Sequence, residues 1–207
     1  TATAVATAAP AGTVAPTTAV AELAAVDWLP VVLGNVSAYA LVRGGEAAIV
    51  DTGTFGSAGS IEAALTTVGP GCDAVGHVIV THSHGDHVGS LPDVLGRASD
   101  ATAYTGAGDI ARITSPRPLV SVGNGDRVFG LDIIETPGHT PRHISVIDAA
   151  GGLLLAGDAL NGSGSGIAGP NPRFTPDMAQ ANDSLRKLAT HSFETAVFGH
   201  VDPVEGN

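Results

Sequence analysis

The chain has 207 residues, with 20 Asp and Glu against 9 Lys and Arg, and so a net charge of −11. That balance excludes a binder of phosphate backbones or of anionic membranes, both of which need clustered cations. A hydrophobic content of 43% and a mean hydropathy of +0.26 exclude a disordered acidic tail, and no run of 18 apolar residues encodes a membrane-spanning helix.

Residues 1–25 are mostly Ala, Thr, Val and Pro, with Pro10 and Pro16 interrupting any helix and no charge before Glu22, and read as a flexible arm. The chain starts without Met, so it is read as processed or truncated. Its location stays open between exported and cytoplasmic. Residues 26–207 are expected to form a single domain. From Asp27 to Gly53, two or three short strands are separated by turns at Gly34-Asn35 and Gly44-Gly45. Ile61, Ala64, Leu65 and Val68 have helical spacing, which predicts a helix over 57–68 with Ser60 as its cap. Cys72 stands alone, so there is no internal disulfide, and it is read as a small buried or half-buried thiol. Residues 76–81 predict a buried strand, 90–95 a helix, 101–104 a strand and 109–114 a short helix. Strands follow over 120–122, 127–129, 131–136, 144–148 and 153–156. Residues 161–173 (NGSGSGIAGPNPR) read as a Gly/Ser/Pro loop. A helix is expected over 176–190, capped by Thr175 with Pro176 in its first turn, and a last strand over 196–198. This mixture points to sheets flanked by helices.

The chemistry concentrates in THSHGDH, residues 81–87. On extended backbone, residues two apart point the same way, so His82 and His84 aim at one point. A turn at Gly85 brings Asp86 and His87 back toward it. Imidazole nitrogens and carboxylate oxygens are the ligands Zn²⁺ takes. Four such groups in six residues exceed what one catalytic ion with an open position needs, so two adjacent ions are expected. Burying three imidazoles and a carboxylate together without a metal would be costly.

With VDTG at 50–53, PGHT at 137–140, GD at 157–158 and GH at 199–200, this string resembles the metallo-β-lactamase-fold hydrolases. The resemblance runs over residues 27–204. It implies an α+β fold, an αββα sandwich of two mixed sheets with helices outside. It implies that His82, His84 and His139 hold one metal and Asp86, His87 and His200 a second. Asp158 would bridge them, and Asp51 would be a buried carboxylate orienting the ligands. His143 is expected to pack or to support a ligand. His77 and His191 are not expected to be ligands.

The resemblance further implies a hydroxide held between two ions, zinc first, with iron, manganese or mixed metals as alternatives. Asp86 and Asp158 would position it and pass a proton to the leaving group. The expected reaction is hydrolysis of an ester, lactone, thioester or lactam in a small molecule, with no role for Cys72. An aspartate bridge at Asp158 resembles the glyoxalase-II-like thioesterases and the lactonases more than the β-lactamases proper. The run GDALNG lacks the tyrosine that lactonases carry after the bridge. Few residues follow His200, and the helical region that holds glutathione is not expected. A β-lactamase proper and a mononuclear Fe(II) persulfide-type dioxygenase are the alternatives, and a non-catalytic metal-stabilised domain is a third. Residues 161–173 are read as a lid or a plain surface loop, with Phe174 as an apolar contact. Trp28 is read as core. Arg142 and Arg173 are candidates for a substrate carboxylate. No nucleic acid partner and no membrane insertion are expected, and a homodimer is left open.

Overall fold

The computed structural model describes residues 23–69, 71–163, 166–200 and 202–205. The first 22 residues of the expected arm lie outside the described residues. Three antiparallel strands open the fold: β1 (Asp27–Val32), β2 (Ser37–Arg43) and β3 (Glu46–Val50). The β2–β3 hairpin turns on Gly44 and Gly45, at φ +60° and +88°. Only glycine takes two successive left-handed positions cheaply, and that geometry matches the twist of the flanking strands. Then come α1 (Ala58–Val68), β4 (Val75–Ile79), α2 (Gly85–Val88), α3 (Leu91–Arg97), β5 (Thr102–Gly106) and β6 (Val120–Val122). They complete a sheet in the order β1-β2-β3-β4-β5-β6, parallel from β3 onward.

The second sheet is built from β7 (Arg127–Val128), β8 (Leu131–Glu135), β9 (Ile144–Asp148) and β10 (Leu153–Leu155). After the hairpin β11 (Asn161–Ser163) and β12 (Gly166–Ala168) and the helix α4 (Met178–Leu188), β13 (Thr195–Val197) and β14 (Val204–Glu205) join it. Its order is β14-β13-β10-β9-β8-β7.

Strand alternation sorts the apolar side chains into three layers. Leu41, Val50, Ile79, Ile133, Val146 and Leu155 meet between the sheets. Ala40, Ile49 and Val78, one residue out of phase with these, face α1 and α3. Ile134, Ile147 and Leu154 face the other way, with Leu185 and Leu188 of α4. The result is the expected αββα sandwich. Each large side chain buried there contributes roughly 1.5–3 kcal/mol. Trp28 packs half-buried against the inter-sheet layer beside Tyr39. Arg43 joins the two sheets, donating to Asp148 (2.9 Å) and to the Phe129 carbonyl. No helix among the described residues is long and apolar enough to cross a membrane.

Several local expectations are corrected. Ser60 lies inside α1, and the cap position is Ser57, whose N–H is held by Ser90 Oγ (2.7 Å). Helix α4 starts at Met178, because Asp177 caps it by accepting from Gln180 N (2.9 Å). Thr175 is engaged elsewhere. The helix expected over 109–114 is one 3₁₀ turn, Ile110–Arg112. The loop expected over 161–173 contains the β11–β12 hairpin, although residues 164 and 165 lie outside the described residues.

Candidate metal centre

The predicted ligand residues all stand at strand ends on one rim of the sandwich. Beyond β4 the chain stays extended to His84, which keeps His82 and His84 on one side; their rings lie 4.7 Å apart. The single turn α2 then starts, with His84 O accepting from the N–H of His87 (3.0 Å) and of Val88 (3.1 Å). That turn swings Asp86 and His87 back toward the sheet. His139 follows the Pro137-Gly138 turn after β8. Gly138 sits at φ +132°, and a Cβ there would meet the backbone of Ala181 within 2.6 Å. Glycine therefore lets α4 close on the turn, where Ser184 Oγ donates to Pro137 O (2.7 Å). Asp158 follows β10 and His200 follows β13.

Three groups of potential ligand atoms result: His82, His84 and His139; His82, His87 and Asp158; and Asp86, His87 and His200. In the first, His84 Nδ1 lies 3.1 Å from His82 Nε2 and 2.9 Å from His139 Nε2. Asp158 stands between the groups. Its Oδ1 is 3.4 Å from His87 Nε2, and its Oδ2 is 3.3 Å from His139 Nε2 and 3.2 Å from His200 Nε2. Asp86 Oδ2 is 3.4 Å from His200 Nε2.

The outward partners fix where the ring protons are. A carbonyl or carboxylate oxygen only accepts, so each chain of bonds ending on one has a single direction. Asp51 Oδ2 accepts from His87 Nδ1 (2.8 Å) and from Thr81 Oγ1 (2.8 Å), and Oδ1 accepts from Thr81 N (2.7 Å). Since the Thr81 hydroxyl donates to Asp51, it accepts from His82 Nδ1 (3.0 Å). The Thr175 hydroxyl donates to Asn171 O (2.8 Å) and so accepts from His139 Nδ1 (3.3 Å). His200 Nδ1 donates to Asn35 O (2.7 Å). The Nε2 atoms of these four histidines are thereby turned inward, each with its ring's other nitrogen already carrying a proton. Asp51 holds this place at φ +59°, a left-handed conformation uncommon outside glycine and easiest for Asp and Asn.

His143 is likewise fixed. Asp158 N donates to its Nε2 (3.1 Å), while its Nδ1 donates to Thr136 Oγ1 (2.8 Å). That hydroxyl passes on to Ser145 Oγ (2.9 Å), which ends on Ala156 O (3.0 Å). His143 is thus a neutral prop under the Asp158 backbone. Gly157, at φ +55°, makes this possible, because a Cβ there would come within 2.8 Å of His143 Nε2. Asp109, fully buried, accepts from Ser83 Oγ (3.2 Å) and Thr140 Oγ1 (2.5 Å), and so ties the His82–His84 segment to the His139 turn.

Burial pushes His82 well below its ordinary value, with the neighbouring rings adding to it. Burial likewise takes His139 down to about 4, partly offset by Asp158, and His143 to about 3. Hydrogen bonding to Asp158 lifts His200 to about 9 against its burial. Burial also opposes charge on His87, but the Asp51 carboxylate outweighs it and the net shift is upward. Asp158 is held below the usual carboxylate range, because the facing His200, His87 and His139 outweigh its burial.

The arrangement fits divalent cations on an independent observation. His87 Nε2 and Asp158 Oδ1 are buried, face each other at 3.4 Å, and have no hydrogen-bond partner. Unpartnered buried polar atoms are costly unless something satisfies them. An oxygen–nitrogen donor set of this kind suits Zn²⁺ or Fe²⁺. Over these groups opens a cleft of about 490 Å³, lined by His84, Asp86, His139, Asp158 and His200 and walled by Phe174 and three asparagines, Asn35, Asn161 and Asn171. Arg142 and Arg173 do not line it. Arg142 pairs with Glu135 (3.2 Å), and Arg173 lies over the Phe174 ring (5.5 Å). Cys72 is remote, packed against the α1–α3 layer. Thr81, Thr136, Thr175, Asn35 and Asp109 are supporting residues, a role that the sequence reading assigned to none of them.

The metallo-beta-lactamase superfamily model matches residues 31–200. A hydroxyacylglutathione hydrolase of Parasynechococcus marenigrum is 30% identical over 189 residues, covering 86% of this chain and 70% of its own. That of Xanthomonas euvesicatoria pv. vesicatoria is 36% identical over 124 residues, 58% of this chain and 44% of its own. The chain spans less than half the length of several such relatives. TTHA1623, solved in a di-iron-bound form, superposes with a TM-score of 0.70 at 25% identity, covering 86% of this chain and 94% of that one. With two mixed sheets, helices outside and this motif order, the chain belongs to the metallo-beta-lactamase superfamily.

Proposed function

We propose that the protein is a di-metal hydrolase cleaving an ester, lactone, thioester or lactam bond in a small molecule. His82, His84 and His139 would hold one ion, Asp86, His87 and His200 the other, with Asp158 between them. When bound, two such ions would supply Lewis acidity and lower the pKa of water toward neutrality. The single observation that carries the reading is the unpartnered pair His87 Nε2 and Asp158 Oδ1, in a site whose other ring nitrogens are already protonated outward. A one-ion dioxygenase would leave the grouping of Asp86, His87 and His200 without a purpose.

The chain's own residues then have distinct tasks. Asp51 orients His82 and His87, and His143 fixes the backbone of Asp158. Asp158, kept ionised by its neighbours, orients the attacking water. Asp86 is less buried and faces the cleft, so its carboxylate takes the water's proton and hands it to the leaving atom. Phe174 and the three asparagines form the substrate wall. The test is a metal-quantified activity panel over esters, lactones, thioesters and β-lactams. About two ions per chain and turnover of at least one class are expected. A protein loaded with two ions that hydrolyses none of the four refutes the reading, and one iron per chain with persulfide oxidation moves it to the dioxygenase.

A further inference from the structure

Eight of the nine cationic side chains are engaged within the fold. Arg43, Arg97, Arg127, Arg142 and Arg186 pair with carboxylates. Arg117 donates to the Leu95 and Ala98 carbonyls, Lys187 donates to Glu135 O, and Arg173 stacks on Phe174. Among the described residues Arg112 has no such partner. It ends the 3₁₀ turn after Asp109, and it lines a second cleft of about 340 Å³. His84 and His139 form a wall of this cleft as well as of the first, so the two clefts meet over the first histidine group. The one carboxylate among the described residues lining the second cleft, Asp177, is turned to its own helix, accepting from Gln180 N (2.9 Å).

We infer that Arg112 is the specificity-determining residue for an anionic substrate, binding a carboxylate on the acyl side of the scissile bond. A carbonyl held over the first histidine group has one arm directed to the Phe174 side and the other toward Arg112. A guanidinium without a partner beside a reaction centre offers a planar fork to a carboxylate. In a chain of net charge −11 a lone free cation there selects strongly, because elsewhere the exterior repels anions. The substrate class is therefore a thioester, ester or lactone whose acyl part carries a second carboxylate a few bonds from the carbonyl.

This rests on the hydrolase reading, so the experiment has two arms. In the first, the metal-loaded protein and Arg112→Gln are assayed on the N-acetylcysteamine thioesters of succinate and of butyrate, which match in length. The substitution is expected to raise KM for the succinyl thioester about tenfold, the worth of one charge-assisted hydrogen bond at a half-open site, with kcat and the butyryl kinetics unchanged. In the second, succinate binding to each metal-loaded protein is measured by calorimetry, with ions per chain quantified. Wild-type binding about tenfold tighter than Arg112→Gln at equal metal content is expected. Succinate binding that depends on Arg112 in a protein that turns over neither these thioesters nor the esters, lactones and β-lactams of the wider panel keeps the site and removes the hydrolase. Thioester turnover with the same succinyl preference in wild type and variant removes the site and keeps the hydrolase. Equal succinate binding by both proteins, or none by either, overturns the inference.

Discussion

Asp51→Asn isolates proton placement from shape. The two side chains have the same size, and Asn tolerates the left-handed φ of +59° as readily as Asp, so no backbone strain is added. The carboxylate accepts three hydrogen bonds, from Thr81 N, Thr81 Oγ1 and His87 Nδ1. An amide keeps the first by presenting its oxygen to Thr81 N, but then its NH₂ faces two donors. Both must invert. His87 Nδ1 becomes an acceptor, and its proton moves to Nε2, directed at Asp158 Oδ1. Thr81 Oγ1 turns to donate to His82 Nδ1, which moves that ring's proton to Nε2, directed at His84. One substitution therefore closes a lone pair in each proposed ion's set.

Loss of a supporting partner of a metal-ligating histidine costs about 10–100-fold in affinity. Each ion is expected to bind that much more weakly, about 1.4–2.7 kcal/mol. The metal-free fold loses charge-assisted bonds worth roughly 1.5–3 kcal/mol each and regains part through the new His87–Asp158 bond. Zinc titration against a chromophoric chelator measures the affinities, and long-range ¹H–¹⁵N correlation reads the His82 and His87 tautomers. An Asp51→Asn protein that takes up two ions with wild-type affinity, with both rings still protonated at Nδ1, refutes the reasoning.

Three other perturbations separate the parts of the site. In Gly199→Ala the new methyl falls inside contact distance of Asp158 Oδ1 and 2.6 Å from His87 Cε1, so elemental analysis should find fewer than two ions per chain while the far-ultraviolet circular dichroism is kept. Asp109→Ala leaves the Ser83 and Thr140 hydroxyls without their buried acceptor; about 2–4 kcal/mol of stability should be lost in chemical denaturation, together with weaker binding at the first histidine group. Stability of the metal-stripped protein should peak near pH 6.5. Below it, the unfolded chain takes up protons that His82, His139 and His143 refuse when folded, so stability falls as pH drops from 6.5 toward about 4 and then 3, at up to roughly 1.4 kcal/mol per unit for each group. Above it, the stability from protonated His200 is lost as pH rises through about 9. Denaturant midpoints across pH test both limbs, and a midpoint that climbs on acidification to pH 4 contradicts the first.

The residues that read clearly in the sequence are those whose geometry is local. His82 and His84 share a side because the backbone between them is extended, and Asp86 and His87 return because one helical turn follows. The strands of the inter-sheet layer read clearly too, since alternation needs no distant partner. What did not read is set across the sheets. Thr81, Thr136 and Thr175 look like ordinary strand-end and loop threonines, yet each accepts the Nδ1–H of a histidine, and Thr175 lies 36 residues from His139. That duty also removes Thr175 from the capping position of α4, which passes to Asp177. Arg142 looked free in sequence. In the fold its stem crosses Gly108 and its head meets Glu135, seven residues back on a neighbouring strand. No pattern along the chain tells a committed arginine from an uncommitted one.

The acidic balance of the chain takes on a different meaning once these partners are known. Carboxylates pair with five of the arginines, four of those pairs at the exposed surface, and buried Asp51 orients two of the histidines, so most of the negative charge stays on the outside of the fold. On the two-ion reading, Asp51, Asp86 and Asp158 meet two divalent ions, which leaves the loaded centre with one net positive charge. Arg112 adds a second beside it. A positive pocket in a negative shell turns most anions away at a distance and rewards the small ones that reach the rim. The same field favours the charge that develops on a carbonyl oxygen under attack. Depletion of lysine and arginine elsewhere then sharpens the site, because no other free cation among the described residues competes for the anionic end of a substrate.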